Sequence, residues 1–272
     1  MSVASNTAPA LVEQLSETWD SIYLLCRELT ASEWATPTAC PGWDIADQVA
    51  HVVGTESMLA GRSGPPAQET APDPDHVHND IGRINEQWVQ WLRATAPQDV
   101  LEGFRELTNQ RIEQLRARGE AEWEAPSWTP VGPSTYRRFM QIRVFDCWVH
   151  EQDMRRALGR PGHDQGPAVD QAIDEIERAL GYIVGKKAEA PAGSRITIDL
   201  TGPLRRSIHL AVEGRATVVA TLDRAADVTL RMASPTFAAL ACGRSDPAGA
   251  PVVVEGDQAW GQRIAGQLAF TI

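Results

Sequence analysis

A carboxylate and an imidazole lie four residues apart in the stretch 143–158, as Asp146 and His150. The stretch contains no Gly or Pro and is followed by Gly159, a pattern that predicts a helix ending there. Residues at this spacing lie on one helix face, one turn apart. An oxygen donor and a nitrogen donor placed this way make half of a metal site, which needs a third ligand from a neighbouring helix.

The segment 43–53 offers that ligand as His51. Asp44 is a plausible helix N-cap with Asp47 in the first turn, so His51 falls near the middle of a second helix. Bundle cores can assemble metal sites from side chains on facing helices. Three protein ligands leave a fourth position open for water or substrate, as in catalytic zinc sites. We therefore predict that His51, Asp146 and His150 bind one divalent metal, with zinc as the expected ion.

Simpler interpretations of these residues stay open at this stage. A histidine on an apolar face is often a hydrogen-bonded core residue, and Asp-x-x-x-His on a helix is often a surface pair. Arg143 precedes Asp146 by three residues and could hold that carboxylate in place of a metal. Glu151 is about a hundred degrees round the helix and is expected in solvent. His76 and His78, in a polar loop, are interpreted as solvated residues rather than ligands.

Cysteine chemistry is the competing interpretation. The four cysteines are scattered and form no C-x-x-C pair, which is typical of a reduced, cytoplasmic protein. A lone cysteine such as Cys40 or Cys147 is more often a small buried hydrophobic residue than a nucleophile. The sequence contains no G-x-S-x-G, P-loop or G-x-G-x-x-G motif. No catalytic residue is therefore assigned from these patterns.

Composition limits the partners and the location. The 272 residues are 43% hydrophobic and carry a formal net charge of −11. The hydrophobic content is enough for a packed core, and the acidic balance argues against a nucleic-acid partner. Residues 1–10 lack the basic and apolar regions of a signal peptide, and no apolar run approaches the roughly 20 residues that span a bilayer. We expect a cytoplasmic protein without a membrane partner; oligomeric state is not predicted.

Periodicity divides the chain into a helical part and a mixed part. Apolar residues recur every three or four positions over 9–30, after Asp44, over 81–118 and before Gly159, with Pro97 as a kink or a break. Beyond about residue 191 the pattern changes to short alternating runs that predict antiparallel strands, with short helices near the end. Five strands are expected, at 196–200, 207–212, 216–222, 227–232 and 252–255. The fold class is therefore α+β.

Domain limits follow from the same change. We predict a helical domain over residues 1–165 and an α+β domain over 166–272, the second including a linking helix at 168–187.

Two signatures carry a resemblance to a known family. Residues 40–52, CPGWDIADQVAHV, resemble the signature PGW-(T/D)-(V/I)-x-D-x-x-x-H-(L/V) of the mycothiol-dependent maleylpyruvate isomerase family. Residues 143–158 look like its second signature, R-x-x-E-x-x-x-H-x-x-D-(I/M)-R-x-A-(L/I). Residues 226–257 are similar to the sterol-carrier-protein-like domain that often follows. The resemblance implies a DinB-like metal-binding four-helix bundle and then a small α+β domain.

The resemblance also implies the ligand set and the chemistry. Carried onto this chain, the family's metal ligands are His51, Asp146 and His150, with Asp146 where Glu is usual. Asp reaches about 1–1.5 Å less far, so the backbones approach more closely, a water bridges, or the site is weaker. The implied chemistry is a zinc-activated thiol reaction in which mycothiol adds to a cis double bond, allows rotation and leaves, or is transferred to another electrophile. Arg244 is the candidate to bind a carboxylate substrate.

Two functions of other classes compete with a mycothiol-using isomerase or S-transferase. One is a non-catalytic protein that binds a small molecule or lipid in its C-terminal domain, with the bundle as scaffold. The other is a metal-binding protein that acts on a protein partner. Metal content discriminates the first, because a binding module has no need of His51 and His150 as ligands.

Overall fold

The computed structural model describes residues 6–66 and 74–271. By its internal contacts the chain divides into two compact units between His163 and Asp164. The first unit is helical and the second contains a five-stranded sheet, so the fold is α+β, as predicted. The boundary at 165/166 stays a prediction. Part of the predicted loop at 61–76, residues 67–73, lies outside the described residues.

Helices make up nearly all of the first unit. The long ones are α1 (Ala8–Cys26), α3 (Ile45–Leu59), α4 (Asp80–Leu92), α5 (Pro97–Ala117) and α7 (Tyr136–Leu158). Two single-turn helices, α2 (Ala31–Trp34) and α6 (Glu120–Trp123), and a hairpin of β1 (Pro126–Ser127) and β2 (Ser134–Thr135) connect them. The stretch 81–118 is thus two helices, because Pro97 begins α5 instead of kinking one helix.

Local sequence explains where the two helices of the predicted site begin and end. The Asp44 side chain caps α3 by accepting a hydrogen bond from the Asp47 backbone N–H. The Asp47 side chain in turn accepts from the Asp44 backbone N–H, which completes a capping box. Thr135 caps α7 in the same way through the Arg138 backbone. Gly159 ends α7 in the left-handed conformation at φ 63°, which favours glycine. These caps fix which turn of each helix carries its histidine.

The helix α7 is central to its unit because it packs against α1 on one side and α3 on another. Towards α1, Trp19 donates its indole N–H to Cys147, and Cys26 contacts Met154. Towards α3, Arg143 pairs with Glu56. A helix covered on two sides buries polar as well as apolar residues, and those polar residues need partners.

The second unit begins with α8 (Pro167–Tyr182), which continues into one wider turn at Ile183–Lys187. Its strands are β3 (Arg195–Thr201), β4 (Arg206–Glu213), β5 (Arg215–Val219), β6 (Val228–Ala233) and β7 (Val253–Gly256). Two helices complete it, α9 (Ser234–Ala241) and α10 (Gln258–Gly266).

The sheet has the order β5-β4-β3-β6-β7 and is mixed. β3 pairs with β4 antiparallel but with β6 in parallel, with Ile196 beside Val228. The expectation of purely antiparallel strands was therefore wrong, because the chain between β5 and β6 returns β6 to the other edge of β3. Ile196, Ile198 and Leu200 of β3 are buried and form part of this unit's core. Among the described residues, no helix has the length and apolar character needed to cross a membrane.

Candidate metal centre

The structure brings the three predicted ligands together from α3 and α7. One ligand atom each of His51, Asp146 and His150 lies within 4.8 Å of the other two. The Nε2 atom of His51 is 3.2 Å from Asp146 Oδ2, and His150 Nε2 is 3.6 Å from Asp146 Oδ1. The two imidazole rings are 4.5 Å apart between centroids. Among the described residues, this is the one cluster of its kind that could hold a metal ion.

The donor atoms have the spacing that a small divalent ion requires. Bonds of about 2.0–2.1 Å in tetrahedral geometry separate neighbouring donors by about 3.4 Å. The distance from Asp146 Oδ2 to His51 is 3.2 Å and that from Asp146 Oδ1 to His150 is 3.6 Å, so each oxygen of the carboxylate lies near that spacing from one histidine. Although Asp146 is shorter than Glu, it reaches both imidazoles directly. Nitrogen and carboxylate donors in this number suit zinc, and metal binding by these residues stays a prediction.

The protonation states are those of ligands ready to bind a cation. Burial lowers the pKa of His51 to about 4, against the opposing effect of Asp146. Burial alone would raise the pKa of Asp146, but the Arg143 guanidinium, with the two histidines, holds it well below its ordinary range. At neutral pH His51 is therefore neutral and Asp146 ionised, which are the forms that coordinate metals.

His150 is oriented by a second hydrogen bond on its far nitrogen. Its Nδ1 lies 2.5 Å from Gln48 Oε1, and an amide oxygen can only accept, so Nδ1 carries the proton. This tautomer leaves the Nε2 lone pair directed at the cluster, the arrangement usual for a metal-binding histidine. His51 has no such support, because its buried Nδ1 has no hydrogen-bond partner among the described residues.

Arg143 does contact Asp146, as the sequence allowed. Its Nη1 donates to Asp146 Oδ2, and its Nε donates to Glu56 Oε1 at 2.9 Å. Glu56 also accepts from Arg111 at 3.0 Å, and Arg111 donates to the Tyr136 hydroxyl. The pair does not exclude a metal, because Oδ1 of Asp146 remains for coordination while Oδ2 accepts from Arg143. Ligating carboxylates are commonly hydrogen-bonded in this way.

The charges in this chain of contacts balance without a metal. Asp146, Arg143, Glu56 and Arg111 alternate in sign, and the last three are almost completely buried. Alternation gives each buried charge an opposite neighbour, which offsets its desolvation. A divalent cation bound at the cluster would therefore leave a net positive charge there, to which a thiolate is a suitable fourth ligand.

An aromatic contact that the sequence did not predict covers the two histidines. The Trp43 ring lies 5.2 Å from the His51 ring and 5.9 Å from the His150 ring between centroids. Its Nε1 donates to Glu86 Oε2 at 2.9 Å, and His76 Nε2 lies 3.1 Å from the same oxygen. The interpretation of His76 as a solvated residue was therefore wrong. A buried tryptophan needs an acceptor for its N–H, so Trp43 was the sequence feature that could have indicated a buried acceptor nearby.

Glu151 also differs from its expectation. It is completely buried, not in solvent, and accepts from Ser21 at 2.6 Å, Arg155 at 2.7 Å and His163 at 2.6 Å. The helix rotation of about a hundred degrees was correct, but that direction on α7 faces α1 instead of water. Asp153, the other nearby carboxylate, is buried 4.0 Å from His150 Nδ1.

The cysteine interpretation is weakened by burial. Cys147 is fully buried, and burial raises the pKa of its thiol to about 12 despite the nearby Arg143. Burial raises the pKa of Cys26 to about 12 as well. Thiols of this kind are not ionised at neutral pH and are poor nucleophiles. Cys40, by contrast, is half-buried and packs against Trp43, Ala50 and Val89.

The fold and the cluster define a class: a helical bundle with a three-ligand candidate metal centre, joined to a small α+β domain. Within that class the chain belongs to the mycothiol maleylpyruvate isomerase family. The model of the family's N-terminal domain matches residues 15–155, and the model of its C-terminal domain matches residues 170–263.

The chain is also similar to individual proteins and to solved structures. An uncharacterized protein of Mycobacterium tuberculosis, present in two strains, is 26% identical over 193 residues, covering 68% of this chain and 70% of the relative. The crystal structure of the mycothiol-dependent maleylpyruvate isomerase is similar over 92% of this chain and 93% of that one, with 13% identity and a TM-score of 0.58. A mutant of that enzyme with one histidine changed to alanine gives 14% identity, 88% and 90% coverage and a TM-score of 0.51. At these identities the structures show a shared fold.

Proposed function

We propose that this protein is a zinc-dependent enzyme that uses a low-molecular-weight thiol, mycothiol, as co-substrate in a reaction of the maleylpyruvate isomerase kind. The observation that carries the proposal is the convergence of His51, Asp146 and His150, whose ligand atoms lie within 4.8 Å of one another. Family membership supplies the thiol, and the two high thiol pKa values inside the bundle explain why the chain would not supply its own.

Each residue of the centre has a distinct task in this proposal. His51 and Asp146 provide deprotonated donors at neutral pH, and Gln48 holds the His150 tautomer that presents Nε2. Arg143 fixes one oxygen of Asp146 and leaves the other for the ion. The bound ion supplies one thing, stabilisation of a thiolate near neutral pH. The two histidines are buried, which limits competing water at their nitrogens, whereas the Asp146 side chain is 29% exposed.

Two reactions fit the same centre and differ in what happens to the thiol. An isomerase of a cis double bond regenerates the thiol in each turnover, so a catalytic amount suffices. An S-transferase forms a carbon–sulfur bond that persists and consumes one thiol for each product. We propose the isomerase reaction because the family model covers both domains of the chain. Arg244 donates to the Cys242 carbonyl in the second unit, and its role towards a carboxylate substrate stays a prediction.

The test begins with metal content. Elemental mass spectrometry on the purified protein is expected to give about one zinc per chain, and the His150→Ala variant is expected to have lost it. His209→Ala is the matched control, because His209 contacts Thr197 in the sheet domain and not the cluster. Maleylpyruvate with and without mycothiol then tests the reaction, with thiol concentration followed in the same assay.

The outcomes separate the candidates. Thiol-dependent isomerisation without loss of thiol supports the isomerase, and equal loss of thiol and substrate supports a transferase. A folded wild type that takes up no zinc, even when zinc is added, contradicts the proposal and favours the non-catalytic binding protein.

A further inference from the structure

The two candidate imidazole ligands are not held alike. His150 is fixed by the hydrogen bond from its Nδ1 to Gln48. His51 has a buried Nδ1 without a hydrogen-bond partner among the described residues. Metal-binding histidines usually depend on a hydrogen bond of this kind to set their ring orientation. The Nε2 of His51 contacts Asp146 Oδ2 at 3.2 Å on the side of the cluster, so on the opposite side the ring is held by packing.

The packing partner is Trp43, which is itself held in place. Its ring centroid is 5.2 Å from that of His51, with an angle of 37° between the planes. The indole is 9% exposed, and its Nε1 donates to Glu86 of α4 at 2.9 Å. Glu86 is also buried, at 5% exposed. A single buried acceptor thus fixes the indole that contacts the unsupported ligand.

The Glu86 carboxylate is ionised and has three hydrogen-bond partners, Trp43, His76 and Gln90. Burial alone would raise its pKa, but hydrogen bonds from Trp43, Gln90 and His76 outweigh burial and leave the pKa below its ordinary value. A charged acceptor makes a stronger hydrogen bond than a neutral one. The carboxylate therefore holds the indole more firmly than packing alone.

His76 joins the segment after residue 73 to the same carboxylate and packs on the Pro41-Gly42-Trp43 turn. Gly42 has φ +78°, and a Cβ there would lie 2.6 Å from His76 Cε1. Only glycine allows both the backbone conformation and this approach. The turn is fixed from the other side by Arg93, which donates to the Gly42 carbonyl and to Asp47.

We propose that Glu86 is a positioning residue of the metal centre: through its hydrogen bond to Trp43 it holds the indole against His51 and so sets metal affinity. The inference rests on the proposed function, since it assumes that the centre binds a metal. It concerns Glu86, which is not one of the three candidate ligands, and it explains what holds the His51 ring on the side of its unpartnered Nδ1.

The test measures affinity and coordination instead of turnover. Metal-free protein is titrated with zinc against a chromophoric chelator, and with Co²⁺, whose visible spectrum reports ligand geometry. Glu86→Leu removes the acceptor and is expected to raise the zinc Kd by about 10- to 100-fold, as loss of an outer hydrogen-bond partner does. It is also expected to change the Co²⁺ spectrum. Glu86→Gln keeps an acceptor oxygen and is expected to remain near wild type in both measurements.

Two further variants separate positioning from general loss of packing. Trp88→Phe alters a buried tryptophan of the same helix α4 whose ring packs edge-on against Trp91, and should leave Kd and spectrum unchanged. Trp43→Phe keeps an aromatic ring without the N–H donor, and should weaken zinc binding in the same direction. If Glu86 acts through Trp43, the double variant Trp43→Phe/Glu86→Leu binds zinc about as well as the weaker single variant.

The results that overturn the inference are distinct from failure of the proposed function. Unchanged zinc Kd and Co²⁺ spectrum in Glu86→Leu contradict it, as does equal weakening in Trp88→Phe or additive weakening in the double variant. If Glu86→Leu does not fold, Trp43→Phe alone decides by its Kd and spectrum. A wild type without metal affinity refutes the proposed function, and the positioning role falls with it.

Discussion

Two carboxylate–imidazole clusters lie side by side on α7 and have opposite character. In one, Asp146 meets His51 and His150, and the pKa of His51 is lowered to about 4 by burial. In the other, Glu151 contacts His163 at 2.6 Å, and the pKa of His163 is raised. The residue types are similar and the central residues are only five positions apart along the helix. The difference comes from what else each carboxylate contacts.

Glu151 is saturated with donors. Ser21 of α1 and Arg155 of α7 donate to its Oε1, and His163, after α7, contacts its Oε2, so protein donors occupy about three of its four acceptor sites. On Asp146, Arg143 and His51 both contact Oδ2, whereas Oδ1 faces the Nε2 of His150 at 3.6 Å. A saturated cluster stabilises the fold, whereas a cluster with spare acceptors can bind a cation. Carboxylate–histidine proximity alone therefore does not identify a metal site.

The largest effect is expected when Asp146, the carboxylate of the first cluster, is changed. Asp146→Asn removes the negative charge and keeps the shape, so we expect zinc content to fall from about one per chain to a trace, because carboxylate is the charged donor of the set. Asp146→Glu, which has the residue usual in the family, is expected to retain zinc. Elemental mass spectrometry measures both. Loss of zinc in Asp146→Glu with retention in Asp146→Asn would show that Asp146 is not a ligand.

Sequence reasoning found the first cluster and missed the second for a physical reason. Asp146 and His150 share a face, His51 was predicted as the third ligand from its place in a second helix, and the family resemblance implied the same set. Glu151 was placed in solvent because helix periodicity gives a direction but not what lies there. α1 lies in that direction, where Ser21 faces Glu151. Only the tertiary arrangement shows that α7 is covered on two sides.

Sequence patterns also did not show the tertiary partners of Glu86 or of the central strand β3. The PGW turn was recognised, but Glu86, 43 residues after Trp43, has no local signal that marks it as the indole's acceptor. Strands were recognised from alternation, which does not distinguish parallel from antiparallel neighbours, so the β3–β6 pairing was not predicted. Local caps behaved differently: Asp44 and Gly159 act through neighbours in sequence, and both were predictable.

The second-largest effect is expected in the saturated cluster. Glu151→Leu leaves Arg155 and His163 buried without their acceptor, and breaking a buried pair costs about 3–5 kcal/mol in the free energy of unfolding. Urea denaturation of the metal-free protein measures the loss. Glu151→Gln is the matched control and should lose less, because it still accepts hydrogen bonds. Zinc stoichiometry of folded Glu151→Leu should equal that of wild type; parallel loss of zinc would show that the two clusters are not independent.

A smaller and pH-dependent effect is expected at His163. Burial lowers the pKa of His163, but its hydrogen bond to Glu151 and the charges of Glu151 and Glu17 outweigh burial and raise the pKa above the ordinary 6.5. A raised pKa in the folded state means that the protonated pair stabilises the fold fully below pH 6.5. This stabilisation is lost as pH rises through the folded-state pKa.

The test compares wild type with His163→Gln by urea denaturation of metal-free protein between pH 5.5 and pH 9. At the acid end the variant is expected to be less stable by about 1.5–3 kcal/mol, the contribution typical of a hydrogen bond between charged groups. The difference should shrink as pH rises through the folded-state pKa of His163, because the charged pair is lost when His163 deprotonates. His78→Gln, which changes an exposed histidine, is the control. A stability difference that grows with pH would mean that Glu151 does not hold His163 in its charged form, and the contrast between the two clusters would lose its electrostatic basis.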